Sequence, residues 1–434
     1  KLVQDVHYRD SIREPMNDFF RFQNKALISA TPIVPEKDSR FDGFMRVLIQ
    51  PDYVYRQKLK LITTNNVLET LQEVIEAKRG TVCIFCNSID SIDSFYRLIP
   101  ELSNACTFCS EDGQYKLWKG NRRKKSMMIT ELERYNFFTS RFYSAVDILC
   151  KNPPHVIFVS DLYGAAQSVI DPATEAIQII GRFRGGVNSV THIASIRPEL
   201  ECMSSSEIDH WIQGASTIFN GWKAQLARTT NIGERTLLQE AIGENSYLPY
   251  LDENGKPDSF LIANFYEKEQ VKRLYTSADL LHLAYEQTGY FVFSHEERLM
   301  PVSDNERMAI QHRLAKKKRA ELIVRKLEEM EKMSKATDKK IQKRYQRMLM
   351  NLITSTADRY IYDCFCRFGA EFVREADYNE NKLRTALNVS SEHTIKKSGQ
   401  MRTYIQRAFP VGAEISVQEA KSMLRQVYKK MGLN

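Results

Sequence analysis

The sequence predicts an α/β domain built on a parallel sheet with crossover helices, followed by a mostly α-helical C-terminal extension. Three observations carry this expectation. From residue 25 to about residue 195, short apolar runs alternate with stretches of helical spacing. Beyond residue 195 the strand signal fades and helical patterns dominate. No run approaches the roughly 18 consecutive apolar residues that a membrane span requires, and the first residues lack a basic-then-apolar signal pattern. No membrane contact is therefore expected, and the expected setting is cytoplasmic.

Strands are expected at residues 26–28, 47–49, 82–85, 156–159 and 190–193, each a compact apolar run. Between the second and third, Val67, Leu68, Leu71, Val74 and Ile75 recur at the spacing of one helix face, and Gly80 supplies the stop. This is a βαβ unit in outline. The turn formers Asp252, Asn254, Gly255 and Pro257 divide two helical stretches. Residues 307–352 read as one long Lys/Arg-rich helix or a helical pair. Ser416 and Glu419 make a capping-box pattern, opening an amphipathic helix whose apolar positions are Ala420, Met423, Leu424, Val427 and Tyr428.

A chain of 434 residues has room for two or three domains. Hydrophobic residues at 43% and charged residues at 27% are globular values, which excludes a disordered or fibrous chain. The chain opens at Lys1 rather than Met, which fits a start inside a longer protein. The net charge of +8 is local: residues 306–350 hold 15 Lys and Arg against 6 Asp and Glu, so the rest is close to neutral. Attraction for polyanions should be regional.

Two Cys-x-x-Cys pairs, Cys83 with Cys86 and Cys106 with Cys109, have the spacing of a zinc ribbon. The first pair lies within an expected buried strand, where residues three apart point to opposite faces and cannot share one ion. Structural, reduced thiols are the better reading, and no metal site is expected. The eight histidines are scattered without H-E-x-x-H, no G-x-S-x-G elbow is present, and no acidic cluster has the spacing of a nuclease metal site.

The most specific string is residues 178–184, in which Gln178, Gly181, Arg182 and Arg184 stand just before the strand expected at Val190. Arginine brings a permanent charge and a planar fork that braces phosphate oxygens during transfer. Glycine lets backbone approach closely. Ser29 and Thr31 close the apolar run 26–28, placing hydroxyls at an expected strand end. Thr139 and Ser140 add hydroxyls, and Asp147 follows with a carboxylate.

In this order these residues resemble the second half of the superfamily 2 helicase motif set, of the phage or mobile-element type. Motif III falls at residues 29–31, motif IV near Asn87 and Ser88, motif V at 139–147 and motif VI at 178–184. The resemblance implies that residues 1–40 end a first RecA-like domain and its linker, and that 41–200 form a second. A helical accessory region would follow at 201–305, a basic helical arm at 306–352 and a helical module at 353–434. It implies a motor in which two RecA-like domains share ATP and Mg2+. Arg182 and Arg184 would reach the γ-phosphate, and Gln178 with Gly181 would place the nucleotide. Asp147, Ser29 and Thr31 would couple nucleotide to strand, and Thr139, Ser140, Asn87 and Ser88 would hold the nucleic acid, DNA in preference to RNA.

Two departures from the family pattern are present: Ala145 stands where motif V usually has Gly, and Arg184 follows Arg182 by two residues rather than three. Which arginine is the finger stays open. No G-x-x-x-x-G-K-[ST] loop occurs, and the acidic stretch at 250–253 reads as a polar loop rather than a magnesium-binding strand. The chain by itself is therefore expected to be catalytically silent.

Two basic stretches are candidate nucleic-acid contacts. Residues 116–125 interleave Trp118 with six cations, Arg122 among them, suiting base stacking with phosphate contact or else a solvated loop. Lys316, Lys317, Lys318 and Arg319 suit a duplex backbone, while Leu314, Ile323, Leu327 and Met330 suit a packed strut. A strut that also touches nucleic acid is the expectation. The competing functions are a nucleic-acid-binding module recruiting replication or DNA-processing proteins, and the motor subunit of a restriction or DNA-processing complex.

Overall fold

A computed structural model of the chain describes residues 2–4, 6, 10–35, 37–118, 124–129, 131–144, 146–300, 302–310, 314–334, 339–396, 399–410, 412 and 414–430. The chain divides into two compact units, residues 1–300 and 301–434. Among the described residues no helix is long and apolar enough to cross a membrane.

The first unit is organised by one sheet. Its strands are β1 (Gln57–Thr64), β2 (Val82–Phe85), β3 (Cys106–Phe108), β4 (Lys124–Ser126), β5 (Tyr135–Phe138), β6 (His155–Ser160), β7 (Ser189–Ser195) and β8 (Phe291–Arg298). The spatial order is β4-β3-β5-β2-β6-β7-β1-β8, and every neighbouring pair is parallel. Parallel strands need crossovers that cover both faces, so central strands lose their polar alternation. All four residues of β2 are accordingly buried. Helices α2 (Val67–Glu76) and α3 (Ile89–Leu98) pack Leu71, Ile75, Ile92 and Phe95 on one face. Helices α5 (Glu175–Ile180) and α9 (Ala278–Gln287) pack Ala176, Ile179, Leu281 and Tyr285 on the other.

The expected α/β class is what the chain adopts: a wholly parallel sheet with crossover helices, consistent with a RecA-like fold, then helices. The helix at 67–76 and strands β2, β6 and β7 stand where the sequence puts them. The runs at 26–28 and 47–49 do not form strands. Ile28 is 93% exposed and Leu48 89% exposed, and the only sheet among the described residues includes neither. Strand geometry is held by a neighbour's hydrogen bonds, so an apolar run with no partner remains irregular. The true partner of α2 in the βαβ unit is β1, where Lys58 and Lys60 point out between buried Leu59 and Leu61. Strand β8, expected to lie in a helical region, forms the sheet edge beside β1.

Residues before position 45 pack on helix α8 (Ser259–Leu274): Val3, Val6 and Met16 share a cluster with Phe260 and Leu261. Asn264 Nδ2 donates to the Val3 carbonyl at 2.7 Å, and Arg13 pairs with Asp258 at 2.8 Å.

A buried polar chain fastens α8 and α9 to the sheet. The Tyr275 hydroxyl donates to the Ile170 carbonyl at 2.7 Å and accepts from the Ile170 amide at 2.9 Å. Its single proton is thus used, so Ser160 Oγ, 3.1 Å away, must donate to it. His192 Nε2 then donates to Ser160 at 3.0 Å, and His192 Nδ1 accepts from the Tyr285 hydroxyl at 2.7 Å. Burial holds this imidazole neutral and pulls its pKa down to about 3.

The second unit is helical. Helix α11 (Lys316–Ser334) and helix α12 (Lys339–Ser355) form the expected pair, and α11 buries Ala320, Ile323, Val324 and Leu327 against Ile361, Cys364 and Val373 of α13 (Arg359–Glu375). Ser416 and Glu419 close the predicted capping box, with Ser416 N donating to Glu419 at 3.1 Å and Glu419 N to Ser416 Oγ at 3.2 Å. The helix it opens, α16 (Val417–Lys430), buries Val427.

Candidate functional site

The 178–184 string begins on helix α5 and runs past its end, and the start of the helix is held by Asp171 and Glu175, which sequence reading missed. Asp171 N donates to Glu175 Oε2 at 3.0 Å, while Asp171 Oδ1 accepts from Ala173 N at 3.0 Å and its other oxygen accepts from Thr174 Oγ1. Burial raises the Asp171 pKa. The available signal was Asp171 followed by Pro172, a turn-initiating pair whose Asp side chain bonds the backbone two residues on.

With Ala176, Ile179 and Ile180 buried, Gln178 lies on the outer side of α5, and Arg182 stands in the turn just past its end. Gln178 Nε2 donates to Thr31 Oγ1 at 2.7 Å, and Ser29 Oγ accepts from Thr31 N at 3.1 Å. Of the two hydroxyls expected at a strand end, that of Thr31 thus reaches α5 from an irregular segment, and that of Ser29 is used on the Thr31 amide. Arg182 Nε donates to the Gln178 carbonyl at 3.0 Å, and no carboxylate pairs with Arg182 among the described residues. Phe183 turns inward onto Phe85, their centroids 6.1 Å apart, which separates the two arginines. Arg184 Nε lies 3.1 Å from Asp147 Oδ1 in an exposed pair. The Ile148 amide donates to the Arg182 carbonyl at 2.9 Å, pinning the 147–148 segment to this turn. Residues far apart in sequence, Thr31, Asp147, Gln178, Arg182 and Arg184, are joined here.

Gly181 is not required by the fold. Its φ is −61°, and an added Cβ would meet nothing nearer than the Gln178 carbonyl at 3.4 Å, ordinary contact. It leaves the backbone open in the turn that carries Arg182.

The carboxyl ends of the neighbouring strands β2 and β5 bring Asn87 and Ser140 together. Ser140 N donates to Asn87 Oδ1 at 3.4 Å, and Asn87 Nδ2 donates to the Gln167 carbonyl at 3.4 Å. In open α/β sheets this is where ligands bind. Ser88 and Thr139 turn away from it. Ser88 is buried and its hydroxyl caps α3 by accepting from Ser91 N at 3.1 Å, whereas Thr139 Oγ1 donates to the Phe108 carbonyl at 3.4 Å. Trp118 closes helix α4 (Glu111–Trp118); its side chain and the whole of Arg122 lie outside the described residues.

No group of three or more His, Cys, Asp or Glu side chains converges on a metal position among the described residues. The Cys-x-x-Cys pairs are split by the sheet, as strand geometry requires: Cys83 and Cys106 face one core, Cys86 and Cys109 the other. The acidic stretch at 250–253 is a turn, with the Gly255 amide donating to Asp252 O at 2.9 Å.

In the second unit, Lys316 pairs with Glu380, and Lys317 with Asp377 at 2.6 Å. Arg319 grips buried Asp358 through two bonds of 2.6 and 3.2 Å. Lys318 remains exposed. Three of the four cations expected at phosphate are thus paired within the helical unit, Arg319 with a buried carboxylate and Lys316 and Lys317 in exposed pairs worth little. Removing one partner of a buried pair leaves an uncompensated charge, worth about 3–5 kcal/mol. Arg319→Ala should therefore lower the urea midpoint of the helical unit markedly, and Lys318→Ala should leave it unchanged, as followed by backbone hydrogen exchange. An unchanged midpoint in Arg319→Ala would remove the structural role.

No family model, curated protein or solved structure matches the chain.

Proposed function

We propose that the chain is the C-terminal portion of an ATP-dependent nucleic-acid helicase or translocase, its sheet serving as the second RecA-like domain. The observation that carries this reading is the Gln178–Thr31 bond at 2.7 Å beside Arg182. In this reading it joins Thr31, of a motif III, to Gln178 and through it to Arg182, of a motif VI, while Asp147 meets Arg184 of the same turn. ATP with Mg2+ would supply the transferable phosphoryl group, held jointly with a first RecA-like domain that carries a phosphate loop. On this side of the nucleotide Arg182 would brace phosphate oxygens, Gln178 would orient the group, and Gly181 would leave room for its approach. Asn87 and Ser140 would contact a nucleic-acid backbone, DNA in preference to RNA.

The lack of a phosphate-loop motif in the sequence favours a second reading, a nucleic-acid-binding module that recruits replication or DNA-processing proteins without hydrolysing ATP. Two measurements separate them. The chain alone should show no ATP turnover above background, with or without nucleic acid; turnover that survives repurification and requires Arg182 would defeat the proposal. Joined to its phosphate-loop domain, it should hydrolyse ATP in response to nucleic acid. Silence there would favour the binding module. Under either reading binding should tolerate sequence and weaken with salt, by about 0.9 in log–log slope per phosphate contacted.

A further inference from the structure

Helix α9 and edge strand β8 bring two imidazoles together, away from the arginine site. His282 Nδ1 lies 3.5 Å from His295 Nδ1, with ring centroids 5.5 Å apart and planes inclined at 56°. Both rings are held. His295 Nε2 lies 2.8 Å from Thr63 Oγ1, on the neighbouring strand and buried. His282 stands edge-on to Phe293 at 4.8 Å.

A neutral imidazole has one N–H. With the His295 proton on Nε2, donated to Thr63, its Nδ1 lone pair faces the Nδ1 of His282. Two facing nitrogens at this distance ask for a proton or a cation between them. Nitrogens bound tetrahedrally to zinc at 2.0–2.1 Å lie about 3.4 Å from each other. The Thr63 hydroxyl on the far nitrogen is the outer hydrogen bond that metal-binding imidazoles usually have. Negative charge is also near: the carboxylates of Asp279, one turn before His282, and Glu297, two residues past His295, both act on His295.

We propose that His282 and His295 form a binding site for a divalent d-block cation, with Zn2+ as the expected occupant. The two nitrogens are the protein ligands, water completes the shell, and Asp279 and Glu297 balance the charge. Imidazole suits Zn2+, Co2+, Ni2+ and Cu2+, whereas Mg2+ prefers oxygen. The bound ion would tie α9 to the sheet edge.

The test uses the full chain stripped with EDTA and titrated with ZnCl2 by calorimetry, with CoCl2 giving a visible spectrum as a second readout. One equivalent should bind at micromolar concentration, and excess Mg2+ should not compete. His282→Gln and His295→Ala should each weaken binding by at least about 10-fold, and Thr63→Val, which removes the outer hydrogen bond, by about 10-fold. Circular dichroism without metal checks that the variants fold; should His295→Ala fail, His282→Gln alone decides. Unchanged Zn2+ affinity in His282→Gln, or no stoichiometric binding by wild type at millimolar Zn2+, would overturn the assignment.

Discussion

On the proposed function, Arg182→Ala in a protein that joins this chain to a phosphate-loop domain is expected to cut ATP turnover by about 10³ or more while leaving ATP affinity nearly intact. Phosphoryl transfer is accelerated mainly by positioning and by charge placed against the transferring oxygens, so losing an arginine finger acts on kcat. Both arginines remained candidates in the sequence. Arg182 uses only its Nε on the Gln178 carbonyl and faces no carboxylate among the described residues, so the rest of its fork is open. Arg184 is matched with Asp147 and would have to leave that carboxylate to reach a phosphate. Arg184→Ala should therefore fall between Arg182→Ala and wild type. A point charge lacks the planar fork, so Arg182→Lys should restore little. The measurement is steady-state turnover at saturating nucleic acid beside an independent nucleotide-affinity assay; near wild-type rates in both alanine variants would dissolve the motif VI assignment.

The second large effect concerns acid. His192 has a folded pKa of about 3 against an ordinary value of 6.5, so between these pH values the unfolded chain binds a proton that the folded chain refuses. The stability this group contributes is therefore complete above pH 6.5 and declines as pH falls through 6.5 toward 3. At pH 5 the loss is about 2 kcal/mol. All three tryptophans, Trp118, Trp211 and Trp222, lie in the first unit, so their fluorescence follows its unfolding. The urea midpoint should drop from pH 7 to pH 5, and His192→Gln, less stable at neutral pH, should show a shallower drop. Parallel pH profiles would show that other groups set the acid limit.

Helix α2 and strands β2, β6 and β7 were legible because periodicity and apolar runs report burial directly. Strand β1 was not, because Lys58 and Lys60 break its run, and 26–28 and 47–49 misled because an apolar run does not name its neighbour. At the site, residue types were legible but direction was not. Nothing local distinguishes Ser88, whose hydroxyl is consumed by a helix cap, from Asn87, whose side chain reaches the next strand end. Likewise four adjacent cations look alike until Glu380, Asp377 and Asp358, supplied from later in the chain, claim three of them.

The pairing of β1 with β8 sets the order in which the molecule can be made. Leu61 faces His295, so one flank of β1 stays open until more than half of the chain has been synthesised after it. During that interval a nascent chain on the ribosome presents an unpaired strand edge, the feature that invites pairing with a second chain. Closure over so long a loop is slow, because its entropy is lost before the contact is gained. Products truncated before residue 291 keep that flank of β1 open and are expected to aggregate more readily than the longer chain.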